Sequence, residues 1–195
     1  YYTWYRAYAG SVSSTPVNVT TQIVQDASPV AQVDGTNYYS WEAAVLAWNN
    51  GTTLKPLVDI SMTSTLVVPT GNARTLDLND HGLTIATSGL NAIEVPGGAT
   101  LTLTDSSAGT TRYYTLTDGV ATNISTESSS GSSSFTGGYI TGASGNRWGG
   151  AINVSGTLNM SGGTLLGNTT TDGGGVGVTC LLYTTPSPRD GLLSR

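Results

Sequence analysis

The chain is poor in charge. Only 10% of its 195 residues are charged, and Lys55 is its single lysine. An average soluble domain carries about 25%. Solubility therefore rests on Ser, Thr, Asn and Gly. The formal net charge of −5 argues against nucleic acid and against anionic membrane surfaces as partners, because both demand basic patches. One cysteine, Cys180, leaves no intrachain disulfide and no Cys-based zinc centre. One histidine, His81, leaves little for a His-based metal site, so no metal and no cofactor is expected. No apolar run approaches the roughly 18 residues of a membrane-spanning helix, and no membrane insertion is expected.

What the chain has in quantity is glycine, 26 residues of it, set between short apolar alternations. Gly137-Gly138-Tyr139-Ile140-Thr141-Gly142 returns as Gly162-Gly163-Thr164-Leu165-Leu166-Gly167, and Gly150-Ala151-Ile152-Asn153-Val154 returns as Gly174-Gly175-Val176-Gly177-Val178. A spacing of about 25 residues is a solenoid period. Three segments share one template of apolar-x-apolar, a Gly-containing bend, then Thr-Leu-x-(Leu/Met). They begin at Leu66, Ile93 and Ile152 and reach Leu76, Leu101 and Leu158. Period-2 alternation turns Leu66, Val68, Leu76 and Leu78 inward, and Asp77, Thr102 and Asn159 outward. The predicted fold is all-β: a solenoid forming a right-handed parallel β-helix with a small N-terminal α/β cap.

Residues 1–29 read as an N-terminal flank, the truncated end of an upstream segment. It opens on the aromatic run Tyr1-Tyr2-Thr3-Trp4-Tyr5. Residues 30–57 read as a capping strand and helix. Ser40 is an N-cap for Trp41-Glu42-Ala43-Ala44-Val45-Leu46-Ala47-Trp48, and Asn49-Asn50-Gly51 ends the helix. Trp41, Val45 and Trp48 share one helical face. Packing on the first strands is the expected role for Trp41 and Trp48, with carbohydrate stacking as the alternative. Residues 58–179 carry the repeat. A Ser-rich stretch, 125–134, interrupts it as a flexible excursion, after a strand expected near Thr111–Leu116.

Catalysis by a β-helix that cleaves polysaccharide requires two carboxyl groups flanking one glycosidic bond, or acidic Ca²⁺ ligands with a nearby base. Asp77, Asp80, Asp105 and Asp172 are the candidates if the chain is an enzyme. His81 stands beside Asp80. The expected role of these residues is that of polar bend positions, so no catalytic residue is assigned. Arg74, Arg112 and Arg147 read as isolated.

The segments Ser40–Val45, Leu66–Pro69, Leu76-Asp77-Leu78-Asn79, Gly98–Ser106 and Gly156–Thr164 resemble the adhesin-like, pectate-lyase-fold repeat proteins of bacterial cell surfaces. The resemblance spans about residues 30–178. The Asn-Gly-His bend usual in that family stands here as Asn79-Asp80-His81-Gly82, and no catalytic motif of pectin-degrading relatives maps onto a position. The resemblance implies an internal, metagenomic fragment of a secreted or wall-attached protein. The repeat and the absence of a charged constellation point to a non-catalytic surface module, expected as a monomer, that contacts surface glycans or host and matrix proteins. The alternative is a fragment of a β-helix polysaccharide lyase or glycoside hydrolase. The last stretch, 180–195, drops the repeat and resembles a translated sequencing adapter, with Thr185 where that translation has Ser. A non-native tail is expected there.

Overall fold

The structure is a computed structural model that describes residues 28–118, 120–145 and 148–179. The aromatic run of the flank, Arg147, and the tail with Cys180 lie outside the described residues.

The described chain begins with β1 (Ala31–Val33) and β2 (Thr36–Tyr38), which pair antiparallel. Asp34 and Gly35 turn the chain between them at φ 48° and 82°, a conformation that Gly and Asp adopt at low cost. Helix α1 (Trp41–Trp48) follows. The Ser40 side chain accepts from the Ala43 amide at its start. At its end Asn49 and Gly51 present carbonyls that the Arg74 guanidinium takes up. A cation at a helix C-terminus also meets the negative end of the dipole.

Strands β3 (Thr53–Pro56), β4 (Ile60–Met62), β5 (Leu66–Val67), β6 (Arg74–Asp77), β7 (Gly82–Ile85), β8 (Ile93–Val95) and β9 (Thr100–Thr104) come next. After them β10 (Thr111–Thr117), β11 (Val120–Ser125) and β12 (Ser133–Thr136) form a sheet of their own. Strands β13 (Tyr139–Thr141), β14 (Ile152–Val154), β15 (Thr157–Met160), β16 (Thr164–Leu165) and β17 (Val176–Val178) complete the described chain.

These strands divide among four sheets. One has six strands in the order β15-β9-β6-β3-β1-β2, and two have four, β16-β13-β7-β4 and β17-β14-β8-β5. The fourth is β11-β10-β12, antiparallel throughout. This distribution overturns the expectation of a single right-handed parallel β-helix. The six-stranded sheet is mixed, because β1 runs antiparallel to both β2 and β3. The strands of the stretch 30–57 thus belong to that sheet, and α1 stands outside it. The excursion is also larger than the Ser-rich run. Residues 111–136 close on themselves through antiparallel pairing, which needs only short turns.

Within the three larger sheets, parallel ladders bring like residues together: Leu54 beside Leu76, Leu83 beside Ile140, and Ile93 beside Ile152. All six are fully buried. The register departs from the repeat as read in sequence. Leu76 lies beside Leu103, and Leu101 lies beside Arg74. A two-residue slip preserves which side each residue faces, so Leu101 and Leu103 both stay in the core. Asp77 departs from expectation in the other direction. It is buried between Leu76 and Leu78 rather than turned to solvent. Close approach at the bends explains some of the glycine: a Cβ on Gly156 would strike the carbonyl oxygens of Pro96 and Ala99.

Candidate functional site

Three of the four candidate carboxylates converge where the chain leaves β6 and β9. Asp77 ends β6 and is paired in register with Thr104. Its Oδ1 accepts from the backbone amides of Ser106 at 2.8 Å and Asn79 at 3.2 Å. Its Oδ2 accepts from the Ser106 hydroxyl and lies 3.1 Å from Lys55 Nζ. A carboxylate can be buried here because four donors replace its water.

Asp80 follows at φ 66°, after Asn79 at φ 51°. Such left-handed geometry suits Asn and Asp better than most residues. Its carboxylate accepts from the Thr110 amide and hydroxyl, and from Arg112 Nη1 at 3.0 Å. Arg112 also donates to the carbonyls of Asp80 and Gly137, and its guanidinium carbon sits 5.4 Å from the centroid of the Tyr139 ring. Asp105 accepts from the Asp80 amide at 2.7 Å and the Gly138 amide at 2.6 Å. The cluster therefore ties the root of the β10–β12 sheet to the bends after β6 and before β13.

Burial pushes the Asp77 carboxyl up, but the hydrogen bonds from Ser106 and Lys55 outweigh it and leave it below the ordinary carboxylate value. Asp80 is the same: burial raises it, and Thr110 with Arg112 brings it below the ordinary value. A glycosidic general acid needs the opposite displacement. Both groups are ionised acceptors whose lone pairs are already engaged, which suits them to holding a bend.

Asp172 is not part of this cluster. It is exposed in the loop before β17, bridges to Trp148, and its carbonyl accepts from the Gly149 amide at 3.2 Å. His81 places Nδ1 3.5 Å from Asp59, whose carboxylate also accepts from the Gly82 amide. Among the described residues no three His, Cys, Asp or Glu side chains are grouped to hold a metal ion. No helix among them is long and apolar enough to cross a membrane.

The two tryptophans of α1 part ways. Trp48 is fully buried, and its indole donates to the Thr52 carbonyl at 3.2 Å. It has no face to offer a sugar. Trp41 is half-buried and lines a cavity of about 300 Å³ with Glu42, Asn49, Met62 and Ser64.

Sequence reasoning named Asp77, Asp80 and Asp105 but missed their donors. Arg112, read as isolated, is the ion-pair partner of Asp80. Its signal was weak but present: a lone arginine inside a strand of Thr and Tyr must find a partner if it is buried, as it is. Compared with known proteins, the chain matches no family model, no curated protein and no solved structure.

Proposed function

We propose that the chain is a non-catalytic module of adhesin-like or structural type. Its parent protein stands at the cell surface and contacts surface glycans or host and matrix proteins. One observation carries the reading. The three carboxylates that share a site, Asp77, Asp80 and Asp105, are committed to amide, hydroxyl, ammonium and guanidinium donors of the chain itself. They fasten the antiparallel β11-β10-β12 sheet to the bends of the parallel ladders. Display of that sheet on a well-packed support is a binding architecture in which loops meet the partner.

The test uses the full chain. Pectin-type and neutral polysaccharides are incubated with it, and reducing ends and unsaturated products are measured. Glycan and matrix-protein arrays are probed in parallel. No depolymerisation, with retained array binding, is the expected outcome. Turnover that Asp105→Asn removes while the far-UV spectrum holds would overturn the proposal and favour a polysaccharide-cleaving enzyme.

A further inference from the structure

The cavity beside Trp41 lies between two elements. Helix α1 forms one wall, with Trp41 at its first position and Asn49 at its C-cap. Eight residues at about 1.5 Å each give that wall a length of roughly 12 Å. The bend between β4 and β5 forms the other wall. Met62 and Leu66 are buried and give it an apolar base, while Ser64 is exposed in the bend between them. The space of about 300 Å³ is at the small end of the range of ligand sites.

Its polar lining contrasts with the carboxylate cluster. Asp77, Asp80 and Asp105 are bound to donors of the chain itself. Among the described residues, no side-chain atom of Glu42, Asn49 or Ser64 makes a hydrogen bond or an ion pair. A carboxylate, a carboxamide and a hydroxyl therefore border one space with their donors and acceptors open. The half-buried indole of Trp41 adds a flat apolar face beside them.

We infer that this cavity is a saccharide subsite that takes the end of a neutral glycan, one or two pyranose rings long. A pyranose has an apolar C–H face, which packs on the Trp41 ring. Its hydroxyls both donate and accept, and so meet Glu42, Asn49 and Ser64 without leaving any of them unpaired. No Lys, Arg or His lines the cavity, so an acidic sugar would bring its charge beside Glu42 without a counter-ion. A quaternary ammonium ligand fits less well, because one ring does not make an aromatic cage. The inference rests on the glycan contact proposed for the module and names where that contact is made.

Two-dimensional NMR of the full chain with millimolar cellobiose, maltose and lactose tests the inference. At least one disaccharide is expected to move the indole N–H resonance of Trp41, while that of Trp48, held by the Thr52 carbonyl, stays. Trp41→Ala weakens that binding at least about tenfold, and Trp41→Phe, which keeps a ring, by less than about threefold. Asn49→Ala, at an exposed side chain, weakens it about threefold or more. Trp148→Ala, at an exposed tryptophan outside the cavity, leaves it unchanged. Absence of binding by all three disaccharides overturns the inference. So does binding that Trp148→Ala removes and Trp41→Ala spares, or a chain that takes choline and no sugar. If the glycan or matrix-protein arrays still bind in those cases, the surface role stands without this site; if they are silent too, both fall.

Discussion

The two ends of the stacked sheets were built from the same kind of sequence and have opposite fates. At the end near α1, Trp48 and Ala44 pack against the core, and Ala31, Met62 and Leu66 are sealed. At the other end the equivalent inward positions, Met160 and Val178, meet solvent. The strands do not differ in character: Thr157-Leu158-Asn159-Met160 reads much like Thr100-Leu101-Thr102-Leu103. What differs, among the described residues, is the presence of an element on top. Burial of an apolar residue in a layered fold is decided by its neighbour in the next layer.

That contrast can be broken most directly at its sealed side. Trp48→Ala should cost about 3–5 kcal/mol, because it opens a cavity beneath α1 and leaves the Thr52 carbonyl without its indole donor. Urea denaturation measures it, and a loss under about 1 kcal/mol would mean that α1 covers nothing that matters. The contrast is sharpened by a matched pair of positions in one register. Leu103→Ala should cost about 2–5 kcal/mol, whereas Met160→Ala should cost under about 1 kcal/mol.

Acid provides a third probe, and the sign follows from the shifts. Asp34, Asp77 and Asp80 all lie below the ordinary carboxylate value when folded. In Asp34 the cause is hydrogen bonding from Thr52 and Thr53. In Asp77 and Asp80, hydrogen bonds overcome the opposing effect of burial. The folded chain therefore holds fewer protons than the unfolded one. The stability they contribute is present above the unfolded carboxylate value of about 3.9, and is lost as the pH falls through the lower folded values. Hydrogen exchange followed from pH 6 to pH 3 should lose protection first at the amides of Thr52, Thr53, Ser106 and Thr110, which bond these carboxylates. The charge-free strands β14 and β15 should lag. Uniform loss across both ends would remove the distinction. The smallest effect is expected at Ser40→Ala. Deleting the N-cap of α1 should lower stability by about 1 kcal/mol in the same urea titration.

Local features were legible in the residues. Ser40 before an Ala- and Leu-rich run marks the start of α1, and Asp34-Gly35 marks the β1–β2 turn. Alternation correctly turned Leu66, Val68, Leu76 and Leu78 inward. The architecture was less legible. A repeat of about 25 residues suggested one continuous parallel β-helix, but repetition does not say where pairing turns antiparallel, and β1 and β10–β12 are where it does. The candidate site divided in the same way. Asp77, Asp80, Asp105 and Asp172 were named alike as candidates, and only the first three meet. Asp172 shared their chemistry without sharing their place.

By itself, the sequence determined the short strands, their inward faces, the capped helix and the scarcity of charge, because each depends on a few neighbouring residues. Only the tertiary structure decided that Asp77 is buried, that Arg112 closes on Asp80, and that one end of the core is sealed and the other bare. Those outcomes depend on donors and covers more than twenty residues away along the chain. Alternation can say which way a side chain points, but only contact between distant segments determines what it meets.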